Sequence, residues 1–350
     1  MKYMSIVIPV YNAEKTIERA LASLISNKDF IKEVILVNDR STDNTFSKVE
    51  NFKSFFDIKV IDNQGNKGPG PARKTGILAA TGEWLMFVDA DDCLTANSLY
   101  YIDKKIQENS EMILLHTQTI YYESGSFNPE HIDFAINSCG GNVYKRDYLI
   151  KNNILPHDNL FMAEDEYFND ILIKHIQYNE SRNLFRRIFF SYPVYEVHHD
   201  SDIEKSFAHS NWIDYVCKYH LLSYQYMIEF FNKGIQRQLY GSYIEGFIFS
   251  YMMLQEIMNS NPNMDFTEIF NDFKQALNFY TKTFNMSSKD LINFYYNNPQ
   301  NIENLKIGVQ ASNGATYKEK ISFKNFINML NKDSNSKFTS PVRMAQKVER

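Results

Sequence analysis

Residues 84–92 read Trp-Leu-Met-Phe-Val-Asp-Ala-Asp-Asp, an apolar run that stops at three carboxylates, Asp89, Asp91 and Asp92. Three negative charges within four residues repel one another unless a cation or hydrogen-bond donors offset them. Hard oxygen ligands suit Mg2+ or Mn2+, and a diphosphate can complete the coordination shell. The plainer reading is structural, with Asp91 or Asp92 capping a helix that starts near Asn97.

Other segments offer chemistry of the same kind. Asp39, in Asn38-Asp39-Arg40-Ser41-Thr42-Asp43, can accept hydrogen bonds from a base N–H or a ribose hydroxyl, or can serve as an Asx-turn or cap. Arg73 follows a Gly/Pro loop and suits a phosphate, a pairing with Asp89, or a solvated helix face. Glu164-Asp165 opens a helix, where acids are stabilised by the dipole. A carboxylate there also suits a general base that takes a proton from an attacking sugar hydroxyl. His198-His199-Asp200 follows a strand, and neutral imidazole binds divalent metals. The Gly65–Pro71 loop lacks the Gly-Lys-Ser/Thr of a phosphate loop, does not follow the first strand, and carries prolines that donate no N–H. It reads as a shaping loop.

The elements that must position these groups follow from periodicity. Continuous apolar runs at 4–10, 33–37 and 84–88, with a shorter one at 59–62, predict buried strands. Ile17, Ala20, Leu21, Leu24 and Ile25 form one helical face between the first two, and Pro71 suits the first position of a helix that continues through Ile77. This β-α-β-α order predicts an α/β fold with a mostly parallel sheet between helices. Strand ends at Tyr11–Glu14, Asn38–Asp43 and Asp89–Asp92 then share one edge, the usual ligand crevice. Further on, 95–107 reads as helix, 111–122 as strand, and 188–195 as strand material ending at Val197-His198-His199-Asp200. From about residue 207 helical stripes rich in Tyr, Phe and Met take over, one running from Trp212 to Tyr226 and another through Ile244, Phe247, Ile248, Tyr251 and Met252. The expected division is 1–206, 207–330 and a polar tail from 331 to 350.

Bulk properties narrow the classes. The 350 residues suffice for two domains, and 44% hydrophobic with 23% charged content is ordinary for a globular chain. A net charge of −5 argues against nonspecific nucleic-acid binding. Three scattered cysteines, Cys93, Cys139 and Cys217, fit neither a disulfide framework nor a zinc site and point to a reducing compartment. The N-terminus does not read as a signal peptide, and no apolar stretch is long enough to span a bilayer. The expected location is the cytoplasm, with a peripheral contact at the inner face of the membrane left open.

Taken together, Ser5–Asn12, Val37–Asp43, Asn66-Lys67-Gly68 with Ala72-Arg73, Thr81-Gly82-Glu83, Asp89–Asp92 and Glu164-Asp165 resemble the family-2 glycosyltransferases with the GT-A fold, over about residues 4–205. The resemblance implies inverting transfer of a sugar from a nucleotide donor, often a UDP-sugar, to a glycan, polymer or glycoconjugate acceptor. It implies a nucleotide pocket lined by Pro9, Tyr11, Glu14, Asp39 and Arg73. Asp89 and Ala90 would lie by the donor and Asp91 on a Mn2+ or Mg2+ ion. Asp165, beside Glu164, would be the base, and His199 a further metal ligand with His198 as alternate. Two positions depart from the pattern: Arg40 stands where the family commonly has glycine, and Asp202 precedes Ile203 where a serine is common. The helical region matches no pattern and is expected to shape the acceptor side or mediate dimerisation. Competing readings are a non-catalytic sugar-nucleotide-binding or scaffold subunit and a sugar-1-phosphate nucleotidyltransferase. The latter would want a Gly-rich loop where Pro9-Val-Tyr-Asn12 stands.

Overall fold

The structure is a computed structural model that describes residues 2–123, 125–134, 138–179, 187–199, 218–231, 233–260, 265–297 and 323–331. It divides into two compact units, Met1–Lys205 and Ser206–Arg350.

The first unit is built on strands β1 (Met4–Val10), β2 (Ile31–Asn38), β3 (Ile58–Asp62), β4 (Trp84–Phe87), β5 (Cys93–Leu94), β6 (Leu114–Glu123), β7 (Ser126–Phe134), β8 (Val143–Lys145) and β9 (Arg187–His199). They form one sheet in the order β3-β2-β1-β4-β8-β6-β9-β5, with β7 on β6. The pairs β1–β2, β2–β3, β1–β4 and β6–β9 are parallel, and β8 enters antiparallel between β4 and β6. Among the described residues, six α-helices connect the strands: α1 (Ile17–Ser23), α2 (Thr45–Val49), α3 (Pro69–Ala79), α4 (Ser98–Glu108), α5 (Arg146–Lys151) and α6 (Glu164–Asn179). The strands at the centre are apolar on both faces because helices cover both. Ile6, Ile8, Val34, Leu36, Trp84 and Met86 are buried in one cluster, each contributing about 1.5–3 kcal/mol.

Register decides where the chemistry emerges. Val10 lies opposite Asn38, Asn38 opposite Asp62, and Val7 opposite Phe87. All four parallel strands therefore end along one edge, and the next residues of each are the polar segments. At the other end a buried carboxylate ties the strands together. Glu33 accepts from Ser5 Oγ (2.6 Å), Lys59 Nζ (2.5 Å), Thr81 N (2.6 Å) and Thr81 Oγ1 (2.9 Å). Gly82 follows because a Cβ there would meet Ser5 Oγ and the Tyr3 carbonyl at 2.6 Å.

Some boundaries differ from the sequence expectation. Helix α3 begins at Pro69, two residues before Pro71, because Gly68 turns the chain at φ 132° and Pro69 takes the first helical position. Residues 93–94 join the sheet as β5, so α4 starts at Ser98 and not at 95. The strand material read over 188–195 is one continuous strand, β9, as expected, and runs from Arg187 to His199.

The second unit consists, among its described residues, of helices His220–Phe230, Lys233–Ser260, Thr267–Phe284, Ser288–Asn297 and Phe323–Leu330. Many of its described aromatic residues are core. Phe247 packs edge-on against Phe273 (5.5 Å) and Tyr280 (5.7 Å), and Phe273 against Phe326 (5.2 Å). Ile244, Ile248 and Tyr251 of the second stripe are buried as well. Of the stripe from Trp212 to Tyr226, the stretch up to Cys217 lies outside the described residues. No helix among the described residues is long and apolar enough to cross a membrane.

Candidate active site

Three loops meet at the strand ends. Asn12, in a left-handed turn (φ 49°), accepts from Thr42 N (2.8 Å), and its own N–H donates to Ser41 Oγ (3.1 Å). Glu14 accepts from the backbone and side-chain N–H groups of Asn44 at 3.3 and 3.4 Å. Its carboxylate is thus engaged with the neighbouring loop. Pro9 is half-buried in β1, opposite Val37. Tyr11 is 49% exposed, with Lys67 Nζ 3.8 Å above its ring.

Asp39 is buried at the end of β2. Its Oδ1 accepts from Asn63 Nδ2 (2.6 Å) and Arg40 Nη1 (3.2 Å), and its Oδ2 from Gly68 N (2.8 Å). A carboxylate offers about four acceptor positions. One position therefore remains for a ligand donor.

The acid cluster leaves β4 beside this pocket. Arg73, buried on α3, donates from Nη2 to Asp89 Oδ1 (2.8 Å) and from Nη1 to Glu164 Oε1 (2.9 Å). Burial alone would lower its pKa, but Asp89, Asp165 and Glu164 hold it above the ordinary arginine range. Burial, then the neighbouring Asp165, push the Glu164 carboxyl well above its usual value, while Arg73 pulls it back. Gly70 allows this approach, since a Cβ there would sit 2.9 Å from Glu164 Cβ. Asp165, the second residue of α6, is partly exposed next to Glu164. Ala163, which precedes them, holds a left-handed φ of 58°. An alanine in that region is strained and is kept there only by its surroundings.

Asp91 is exposed, and its carbonyl accepts from Arg19 Nη2 (2.7 Å). Ala90 is half-buried between Asp89 and Asp91. Asp92 is buried and turned inward, accepting from His198 N (3.0 Å) and from the Tyr195 hydroxyl. Burial, then Asp91 and Asp89, push its carboxyl well above the usual range. His198 is in β9, stacked on Tyr122 at 4.7 Å and 3.4 Å from Glu196 Oε2. With Cys93 it forms a group whose ligand atoms lie within 4.8 Å of one another, although burial pushes that thiol up to about 11. His199 ends β9, and its side chain lies outside the described residues.

The structure thus brings Asp39, Arg73, Asp89, Glu164 and Asp165 around one edge. Sequence reasoning missed two groups. Tyr195 accepts the Asp89 N–H at 2.9 Å while donating to Asp92, so one phenol anchors both ends of the acid turn. Its ring lies against Gly140 and Gly141, where a Cβ would come within 2.8 Å, and that glycine pair was the available signal. Asn63 orients Asp39 and caps Gly65 N (3.0 Å), and its position just past a strand end hinted at this. A depression of about 390 Å³ at the opposite end of the strands, among Lys2, Lys32, Glu83 and Arg146, mixes charges of both signs. It lacks the concentrated acid that distinguishes the other edge.

Comparison with known proteins places this geometry. A sequence profile of glycosyl transferase family 2 matches residues 5–172, which takes in the ends of β1, β2, β3 and β4 and the Glu164-Asp165 pair but not β9. Poly(ribitol-phosphate) beta-N-acetylglucosaminyltransferase TarS of Staphylococcus aureus is 37% identical over 185 residues, 48% of this chain and 32% of TarS. The chain thus spans about a third of the length of that relative. UDP-Glc:alpha-D-GlcNAc-diphosphoundecaprenol beta-1,3-glucosyltransferase WfgD of Escherichia coli is 30% identical over 181 residues, 45% of this chain and 71% of WfgD. In fold, the crystal structure of S. aureus TarS 1-349 in complex with UDP-GlcNAc superposes with a TM-score of 0.59 at 20% identity, over 92% of this chain and 95% of that one. The fold is GT-A with a helical region after it, and by the extent of the match to WfgD the chain belongs to glycosyl transferase family 2.

Proposed function

We propose that this chain is an inverting glycosyltransferase that moves a sugar from a UDP-linked donor to a hydroxyl of a glycan, polymer or glycoconjugate acceptor. One observation carries the reading. Buried Arg73 joins Asp89 of the β4 turn to Glu164 at the start of α6. That link supports reading the donor edge and the Glu164-Asp165 pair as one site, although 91 residues separate Arg73 from Glu164. Partly exposed acids gathered around a buried cation at a sheet edge are a recurrent mark of functional sites. Names of relatives agree: TarS transfers N-acetylglucosamine and WfgD uses UDP-glucose by their descriptions.

The residues divide the work as follows. The remaining acceptor position on Asp39 takes an N–H of the base, with Tyr11 presenting its exposed ring beside it. Asp89, held by Arg73, faces the ribose and diphosphate. Asp165 accepts the proton of the acceptor hydroxyl as its oxygen bonds to the anomeric carbon. The bond from that carbon to the diphosphate breaks at the same time, and its electrons leave with the nucleotide. Glu164 acts through Arg73 and not on the substrate, which makes it a positioning residue. The exposed carboxylate of Asp91, with Asp89 two residues before it, suits a divalent cation, since hard cations take oxygen donors. Asp91 would hold Mn2+ or Mg2+, with His199 as the further candidate, and such an ion supplies Lewis-acid stabilisation of the departing diphosphate.

Thermal shift with a panel of nucleotide sugars, with and without Mn2+, tests the reading. UDP-sugars should raise Tm more in Mn2+ than without it, and Asp91→Asn should remove the difference. A wild-type protein indifferent to every nucleotide would instead favour the scaffold reading.

A further inference from the structure

Arg40, like Ala163, is a residue in this site that local backbone physics opposes. It sits at φ 69°, in the left-handed region where glycine is at ease and a long side chain is not. Strain of this kind persists where the side chain does something that repays it, and such positions gather at binding sites. The side chain does reach the site. Nη1 lies 3.2 Å from Asp39 Oδ1 and Nη2 donates to the Gly65 carbonyl at 3.1 Å. It is nevertheless 54% exposed, and a guanidinium carries five N–H donors. A buried acceptor thus stands next to an exposed donor fork, fixed in place from both sides.

An acceptor beside a donor is the complement of an N–H beside a carbonyl. Uracil presents that pair at N3–H and O4. Cytosine presents the reverse, an unprotonated N3 beside an amino group, which would set a lone pair against Asp39 and N–H donors against Arg40. We propose that Arg40 is a specificity residue that reads O4 of the uracil ring while Asp39 reads N3–H, so that the two together select uridine over cytidine nucleotides. The inference rests on the donor-site reading above and adds to it a role for the one residue that breaks the loop's usual glycine.

Calorimetric titration of UDP and CDP into wild type and Arg40→Gly tests it. Glycine suits φ 69°, so the variant should fold, with Tm within about 2 °C of wild type. UDP should bind about tenfold more weakly to the variant, as for a lost hydrogen bond to a charged group, while CDP binding stays unchanged or improves. Arg40→Lys, which keeps the charge without the fork, should fall between the two in its preference for UDP over CDP. Equal loss for UDP and CDP would mean that Arg40 reads the phosphates or merely braces the loop, and would overturn the proposal. So would an unchanged preference in Arg40→Gly. If wild type binds neither nucleotide, the donor-site reading fails as well, whereas UDP binding that ignores Arg40 defeats this inference alone.

Discussion

Replacing Arg73 by Met should expose how much of the site depends on one buried cation. The guanidinium is almost fully buried and donates to two carboxylates, one of them, Glu164, also buried and the other, Asp89, about one-third exposed. Removing it leaves the buried Glu164 carboxyl beside Asp165 without the cation that offset it. Breaking a buried pair in this way costs about 3–5 kcal/mol. Glu164→Gln alone should cost under about 1 kcal/mol, because the amide oxygen still accepts from Nη1 and the repulsion with Asp165 disappears. The double variant should lose only about 2 kcal/mol, since Asp89 can turn to water and the introduced amide carries no charge to strand. The two changes therefore couple by more than about 1 kcal/mol. The pH dependence has a definite sign. Glu164 has a folded pKa raised above its unfolded value, so its contribution is complete at pH below the unfolded pKa and is lost as pH rises through the folded one. Glu164→Gln should flatten that loss on the alkaline side. Urea unfolding of the four proteins at several pH values measures all of this. Additive effects, or an Arg73→Met variant within about 1 kcal/mol of wild type, would refute the argument.

Two further outcomes follow from groups outside the substrate's reach. Burial raises the Glu33 carboxyl, but Lys59, Ser5 and Thr81 outweigh it and hold its pKa down at about 2. Stability from Glu33 is then present above the unfolded value of 4.5 and is lost as pH falls toward about 2. Its size is about 2 kcal/mol after allowing for the exposed Lys59 head, and Glu33→Gln should remove that acid limb in urea melts at pH 3–6. Tyr195→Phe keeps the ring between Gly140 and Gly141 but takes away the acceptor for Asp89 N–H, costing about 1–2 kcal/mol. UDP affinity in Mn2+ should fall severalfold with it, and an unchanged affinity would separate the acid turn's geometry from its anchor.

The strand ends were legible because the physics there is local. Each apolar run stops where the chain leaves cover, so Asp39, Asp89 and the residues around them could be placed on one edge from pattern alone. What joins them was not legible, because hydrogen bonds between distant segments leave no periodic trace. Tyr195 meets Asp89 across 106 residues of sequence. Arg73 was read with a phosphate, Asp89 or solvent as partner, and its second carboxylate, Glu164, was invisible to spacing. Short or polar strands escaped too: Cys93–Leu94 is two residues long, and Ser126–Phe134 carries Pro129, Glu130 and His131, which blur its alternation. The departure at Arg40 was visible as a missing glycine, but only the backbone angle and the Asp39 contact give it a physical meaning.

The central claim, that the Glu164-Asp165 pair and the β4 acids form one transfer site, is tested most directly by nucleotide release. Wild type and Asp165→Asn are compared for UDP liberated from UDP-sugars, in Mn2+, with a polyol-phosphate or glycan acceptor. The account predicts acceptor-dependent UDP release by wild type, a fall of at least about a hundredfold in Asp165→Asn as for loss of a general base, and UDP binding that is nearly the same in both proteins. Full release by Asp165→Asn, or a loss of UDP binding that parallels the loss of release, would contradict it.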